Sequence, residues 1–134
     1  MNSNQLIFYS TPQGNVKVEV VFENETFWLS QKRIAMLFDV DVRTVNEHLK
    51  NIFKSGELFE NSTIRNFRIV QKEGSREVER EVDFYSLEAI IAVGYRVNST
   101  QATQFRIWAT KTLKEFVTKG FVLDDERLKQ GKTT

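Results

Sequence analysis

The feature that most limits the possible folds is a pair of short helical patterns, three residues apart, within residues 30–54. The predicted helices are Gln31–Phe38 and Val42 to about Phe53, with Ser30 and Asp41 as their N-caps. Apolar residues recur at helical spacing in both: Ile34, Leu37 and Phe38 in the first, and Val42, Val45, Leu49 and Ile52 in the second. With the small Ala35 at the expected crossing, the pattern is typical of a helix-turn-helix.

The polar side of the second predicted helix carries residue types that suit DNA. Arg43 and Asn46 can contact base edges with two hydrogen bonds, and Thr44 and Lys50 suit phosphates. The second helix of such a motif enters the major groove while the first crosses the backbone, where Lys32 could reach a phosphate. Residues 29–54 carry five lysines and arginines against three acidic residues, although the net charge of the chain is only +1. A plain helical hairpin with a solvated polar face is the alternative.

Strand patterns flank the helical pair on both sides. β-rich runs at residues 6–10, 16–22 and 26–29 predict an N-terminal meander of two or three antiparallel strands. Residues 64–85 predict a β-hairpin that turns at residues 72–75. The hairpin follows the second helix directly, which is the usual place for a wing.

Two more helices are predicted after the hairpin. Ser86 can cap one that ends at Gly94, and Asn98 or Ser99 can cap a longer one that reaches about Lys119, with Gly120 as its C-cap. The inward face of the longer helix is expected to hold Ala102, Phe105, Ala109, Leu113 and Phe116. The expected fold class is α+β: a winged helix-turn-helix with an N-terminal β-meander, a β-hairpin wing and two C-terminal helices.

The predicted wing is neutral as a whole, because its arginines and lysines are balanced by acidic residues. Its second arm alternates strictly, with Val78, Arg80, Val82 and Phe84 on one face and Glu77, Glu79, Glu81 and Asp83 on the other. An acidic face would repel phosphates, so Lys72 and Arg76 at the tip are the residues expected to reach DNA, with Arg68 as a further candidate. A solvent-facing ladder of ion pairs is an equally good interpretation.

The composition argues against several classes of site. The chain has no Cys and one His, so a zinc site has little support. It shows no glycine-rich phosphate loop, no nucleophile elbow and no acid/base spacing of carboxylates, so we expect no catalytic residue and no cofactor. No run approaches the ~20 apolar residues of a membrane helix, and the N-terminus lacks the basic and apolar regions of a secretory signal. We therefore expect a cytoplasmic, non-enzymatic domain.

Several strings resemble the RhuM family of bacterial virulence-associated proteins, and the resemblance is expected to span nearly the whole chain. They are Arg65–Phe67, Val70–Val78, Tyr85–Ser99 with its GYRVNS motif, Ala102–Thr110, and Lys119–Leu128 with its LDDERL motif. Residues 105–108 are also similar, more loosely, to the end of BRO-N phage DNA-binding domains. The resemblance implies a DNA-binding role, and genes near restriction-modification clusters or mobile elements. It also implies a longer protein, sometimes joined to a Fic/Doc-type domain.

These observations lead to one expected function and one rival. We expect residues 1–120 to form a single domain that binds double-stranded DNA, and residues 121–134 to be a polar tail that starts a linker to a C-terminal region. A homodimer is compatible with this interpretation. The rival is a protein-interaction or targeting module that docks a partner protein or a C-terminal effector domain, either Fic/Doc-like or associated with restriction-modification.

Overall fold

The computed structural model describes residues 5–11 and 17–132, with side chains up to residue 116. This part of the chain forms five strands and five helices. In order they are β1 (Gln5–Ser10), β2 (Lys17–Glu23), β3 (Thr26–Ser30), α1 (Gln31–Phe38), α2 (Val42–Lys54), α3 (Glu60–Thr63), β4 (Ile64–Glu73), β5 (Arg76–Ser86), α4 (Leu87–Val97) and α5 (Thr100–Lys132). The expected α+β class is confirmed, with the meander, the helical pair, the hairpin and the two later helices in the expected order.

All five strands belong to one antiparallel sheet in the order β1-β2-β3-β5-β4. The predicted meander and the predicted hairpin are joined, because β5 pairs with β3 at Phe84, Tyr85 and Ser86. This pairing covers only the base of the hairpin. Beyond it, the described strands leave β4 and β5 paired only with each other as far as the turn at Gly74.

The sheet has an apolar cluster on each face. The helices cover one face, where Phe27, Leu29 and Tyr85 meet the buried sides of α1, α2, α4 and α5. The other face carries a smaller cluster of Val21, Trp28, Phe67 and Phe84. Successive side chains of a strand point to opposite faces, so the alternation within β3 and β5 supplies both clusters.

The helical pair has the predicted bounds to within one residue. The hydroxyl of Ser30 accepts a hydrogen bond from the amide of Arg33 at 3.3 Å, and Asp39 ends α1 in the left-handed conformation at φ 57°. Val45, Leu49 and Ile52 of α2 are buried as expected. The first residue of the predicted apolar face is an exception, because Val42 remains 41% exposed.

Helix α4 does not end at Gly94 as predicted. It continues to Val97, and Asn98 ends it in the left-handed conformation at φ 54°, while the hydroxyl of Ser99 accepts from the amide of Gln101 at 3.0 Å. Gly94 is required for close packing: a Cβ there would collide with the Cβ of Ala102 on α5 and lie 3.1 Å from the ring of Phe38. In the sequence, a glycine that allows two helices to pack closely cannot be told from a glycine that ends a helix, so the position of Gly94 was misinterpreted.

Two further differences concern local elements. The single-turn helix α3 was not predicted, since four residues are too few to show a helical period. The sequence predicted that the last helix ends at Gly120, but α5 passes through this residue and continues to Lys132. Glycine weakens a helix interior by only about 1 kcal/mol, and the residues that follow are mostly good helix formers. The side chains of the predicted polar tail lie outside the described part, and its proposed linker role stays a prediction.

Phe105 on α5 provides a test of this core. Its side chain is 0% exposed, and its ring lies 5.2 Å from that of Tyr9 and 5.5 Å from that of Trp108. We expect Phe105→Ala to lower the free energy of unfolding by about 3–5 kcal/mol, because removal of the ring leaves a cavity. Urea unfolding measures the change. Ile107→Ala, at a position 62% exposed on the same helix, is the control, and a comparably small effect of Phe105→Ala would contradict the packing.

Candidate nucleic-acid interface

The outward face of α2 presents the polar residues that the sequence singled out. Arg43 and Lys50 are exposed, whereas Thr44 and Asn46 are half-buried. The opposite side of the helix is anchored in the core, where Val45 and Ile52 are fully buried. The helix therefore has a fixed inner side and an accessible polar side, and the cations on that polar side have no ion-pair partner among the described residues.

Asn46 is held in place by a hydrogen-bond network that joins three elements. The side-chain amide of Gln31, at the start of α1, donates to the Oδ1 of Asn46 at 3.2 Å and to the hydroxyl of Tyr85 on β5 at 3.1 Å. The ring of Tyr85 stacks with that of Phe53 at a centroid distance of 6.5 Å. Within the described part of the chain the side-chain nitrogen of Asn46 donates to no residue, so both of its hydrogens can serve another partner.

A groove of about 810 Å³ lies between α2 and the base of the hairpin. Asn46, Lys50 and Lys54 line its α2 side, while Glu60 and Asp83 line it from α3 and β5. Phe59 is also part of the wall and is 70% exposed. The groove thus combines cations, amides and an open aromatic ring with two carboxylates on the far side. Arg43 does not line this groove and faces solvent instead.

Lys32 belongs to a second groove, of about 510 Å³, between α1 and the middle of the hairpin. Gln71 and Val82 line the hairpin side of this groove, and Met36 lines the α1 side. The hairpin therefore runs from α2 at its base, past the start of α1, towards its tip. This path places Lys32, Asn46 and Lys50 along the hairpin on the helical side.

Most arginines of the hairpin are engaged within the protein. Arg68 pairs with Glu81 at 3.0 Å and Glu79 at 3.7 Å, and Arg80 binds Glu73 through two hydrogen bonds of 2.7 and 2.9 Å. The hydrogen bond that Arg68 donates to Glu81 raises the pKa of Arg68, and the one that Arg80 donates to Glu73 lowers the pKa of Glu73. The ion-pair ladder that the sequence allowed therefore exists, and it occupies Arg68.

Lys72 and Arg76 at the tip differ from those arginines. Both are exposed, and neither has an ion-pair partner in the described part of the chain. Arg76 stands opposite Glu73 in the strand register, yet that carboxylate is taken by Arg80. The two cations that the sequence assigned to the tip are thus open to a ligand.

The other arginines with partners connect separate elements of the fold. Arg65 lies 3.7 Å from Glu23 and over the ring of Trp28, and Arg96 donates to Glu57 at 2.9 Å. The sequence offered Asn98 or Ser99 as the N-cap of the longer helix. Ser99 directly precedes α5, whereas Asn98 ends α4, and Arg96 links α4 to the segment after α2.

Sequence reasoning missed four residues of this interface. Lys54 follows Lys50 at helical spacing, so its place in the groove could have been inferred from periodicity. Phe59 lies outside any periodic pattern. Gln31 and Tyr85 are 54 positions apart, and no local signal connects them. Gln31 bonds to both Asn46 and Tyr85, and its contact with Tyr85 depends on how β5 packs beside the helical pair.

The described residues offer no support for two other kinds of site. No cluster of three or more His, Cys, Asp or Glu side chains in that part of the chain could hold a metal ion. Among the same residues, no helix combines the length and apolar character needed to cross a membrane.

Comparison with known proteins identifies one related family. The model of the Virulence protein RhuM family matches residues 62–134. The matched segment contains the hairpin and the two C-terminal helices, and it begins after α2. It is therefore narrower than the sequence resemblance suggested. No curated protein and no solved structure matches the chain.

The buried hydroxyl of Tyr85 predicts a dependence of stability on alkaline pH. Burial raises the pKa of Tyr85 above its ordinary value of 10.0, so the folded protein holds this proton more tightly than the unfolded chain. The stabilisation of the folded state that comes from this difference in pKa is fully present below about pH 10, and it is lost as the pH rises through the folded pKa of Tyr85. We expect Tyr85→Phe to flatten the fall in unfolding free energy above about pH 10.

Urea unfolding at a series of pH values measures this slope. The hydrogen bond that disappears with the hydroxyl shifts the whole Tyr85→Phe curve but does not flatten it. Burial also raises the pKa of Tyr9, so Tyr9→Phe added to Tyr85→Phe should flatten the curve further. Parallel curves for the wild-type protein and Tyr85→Phe would contradict the prediction.

Proposed function

The chain belongs to the virulence protein RhuM family, and we propose that it binds double-stranded DNA as a winged helix-turn-helix. In this proposal α2 is the reading helix and the tip of the β4–β5 hairpin is the wing. The observation that carries it is the polar face of α2, where Arg43 and Lys50 are exposed and free of ion pairs within the described chain.

Helix α2 suits the major groove in size and in side-chain chemistry. The groove is about 12 Å wide and accepts one α-helix. Arg43 can donate two hydrogen bonds to guanine, and the free donors of Asn46 can reach N7 or O6 of a purine. Gln31, which also donates to Tyr85, fixes Asn46 before DNA arrives, so ordering this side chain costs little on binding. Thr44 is half-buried on the same helix and supplies a further hydroxyl.

Phosphate contacts would come from cations spread along the hairpin side of the molecule. Lys32, Lys50 and Lys72 lie at the start of α1, on α2 and at the tip, and Arg76 follows the same turn on the other strand of the hairpin. Each contact would release counterions from the duplex and so add to affinity without reading sequence. The acidic residues of the hairpin favour an approach by the tip alone, because Glu79 and Glu81 would repel the backbone elsewhere.

The proposed role needs no cofactor, metal or catalytic residue in this chain, and it is a role for a cytoplasmic protein. Lys32, Arg43, Lys50, Lys72 and Arg76 are free of ion pairs within the described chain, which suits binding to duplex DNA, whereas Arg33, Arg65, Arg68, Arg80 and Arg96 pair with carboxylates. If the wild-type protein shows no salt-dependent affinity for any duplex, the proposal fails and a protein-interaction module becomes the better interpretation.

Removing two cations of α2 tests the reading helix. We expect Arg43→Ala combined with Lys50→Ala to weaken duplex binding by about 1–3 kcal/mol for each side chain that binds DNA directly. Fluorescence anisotropy against a pool of random duplexes, at matched salt, measures the affinity. Lys111→Ala with Lys114→Ala removes the same charge from exposed positions of α5 and should have little effect. Equal affinities for the two double variants would exclude α2 as the reading helix.

The tip is tested by the salt dependence of binding. We expect Lys72→Ala with Arg76→Ala to weaken binding about equally for all duplex sequences, because phosphates are alike in every sequence. The slope of log affinity against log salt concentration should fall by about one unit for each phosphate that is no longer neutralised. The α5 double variant is again the control. Weakening confined to one sequence would mean that the tip reads bases, and unchanged binding would make the hairpin a scaffold.

A further inference from the structure

Strand β1 is a sheet edge without the features that usually protect an edge. It stands at one end of the sheet, so its outer backbone groups pair with no other strand in the part of the chain that the structure describes. Free N–H and C=O groups recruit other strands, and proteins usually prevent this with charges, proline, bulges or a covering element. β1 has the sequence QLIFYS, without charge or proline, and its pairing with β2 runs from Gln5 to Ser10 without a bulge.

The opposite edge of the same sheet shows the usual protection. β4 carries four charged residues, namely Arg65, Arg68, Lys72 and Glu73. If this edge paired with another strand, several of these charges would lie close to the incoming strand and would lose contact with water, which disfavours the pairing. The difference between the two edges therefore directs strand pairing to β1.

The outer face of β1 is apolar and open. Leu6 is 59% exposed and Phe8 is 56% exposed, whereas Ile7 and Tyr9 point to the main core. The Nζ of Lys17 lies 4.7 Å from the centroid of the Phe8 ring but leaves more than half of the side chain accessible. Two large neighbouring apolar side chains and an open backbone edge thus coincide on one strand.

We propose that β1 pairs antiparallel with β1 of a second copy of this chain, so that the two sheets become continuous. The strand suits itself as a partner, because without charges no like charges meet in the self-pair. A two-fold axis through Ile7 places Leu6 of one copy opposite Phe8 of the other, and the reverse pair follows by symmetry. Both contacts are apolar and both lie on the outer face, as cross-strand pairing requires.

Other registers fit less well. An axis between Ile7 and Phe8 would place Leu6 opposite Tyr9, which points to the core face. An axis through Leu6 pairs Leu6 with itself and leaves Phe8 opposite a residue that precedes β1. An axis through Phe8 pairs Phe8 with itself and leaves Leu6 opposite the polar end of the strand. The register centred on Ile7 is therefore the one that covers both exposed side chains. The inference does not depend on DNA binding, and either proposal can fail without the other.

The oligomeric state of the 134-residue chain tests the pairing. We expect analytical ultracentrifugation to show a reversible dimer, and Leu6→Lys with Phe8→Lys to shift it to monomer. Both positions are exposed, so circular dichroism should show the fold retained. Tyr95→Lys, at a position 68% exposed on α4, is the control and should remain dimeric. A monomeric wild-type protein, a dimer that survives Leu6→Lys with Phe8→Lys, or a dimer that dissociates only in Tyr95→Lys would overturn the proposal.

Cysteine cross-linking tests the register, since the natural chain contains no Cys. Residues directly opposite have Cβ atoms about 4.5–5.5 Å apart, within reach of a disulfide after small adjustments, whereas diagonal neighbours lie about 7–8 Å apart. We expect a mixture of Leu6→Cys and Phe8→Cys chains to form a disulfide-linked dimer far faster than either variant alone. Ser75→Cys at the hairpin turn is the control. Equal rates for the mixture and the single variants would overturn the proposed register.

Discussion

Strand β3 is the element on which the rest of the structure depends, because its alternation supplies both faces of the sheet. Phe27 and Leu29 enter the main core and Trp28 enters the smaller cluster. The first three residues of β3 pair with β2, and its last three residues pair with β5. The meander and the hairpin thereby become one sheet. Its last residue, Ser30, caps α1. The direction of the helical pair relative to the hairpin therefore depends on how this strand is packed.

The links of β3 to α1 and to β5 also affect the proposed interface. The start of α1 is tied to β3 by the cap, and the base of β5 is tied to the same strand by pairing. Gln31 and Tyr85 are thereby brought within hydrogen-bond distance, and together they orient Asn46. Tertiary packing, and not the helix alone, positions the central polar residue of α2. A preorganised polar side chain loses less entropy on binding than a free one.

Charge distribution explains how a chain of net charge +1 can still present accessible cations at particular positions. Arg33, Arg65, Arg68, Arg80 and Arg96 are matched with carboxylates, so these arginines are engaged within the fold. Exposed ion pairs of this kind contribute little to stability. Arg43, Lys50, Lys72 and Arg76 have no ion-pair partner among the described residues, and they remain accessible on α2 and at the hairpin tip. Net charge alone is therefore a poor guide to the surface that a ligand meets.

Elements with local signals could be predicted from the amino-acid order alone. The bounds of α1 and α2, the Ser30 cap and the arms of the hairpin follow from periodicity, turn residues and alternation over a few residues. The exposed face of α2 was predictable for the same reason. Sequence signals failed where one residue type serves two purposes: Gly94 and Gly120 suggested helix ends, yet Gly94 lies within α4 to admit Ala102.

Contacts between distant residues, in contrast, depend on the folded arrangement of the whole chain. The pairing of β3 with β5, the contact of Gln31 with Tyr85 and the choice of Arg80 as the partner of Glu73 follow from register and packing between separate segments. The same is true of the edge positions, since no property of the string QLIFYS says that it ends a sheet. Local patterns reflect the geometry of one helix or strand, whereas these contacts reflect the burial of many side chains at once.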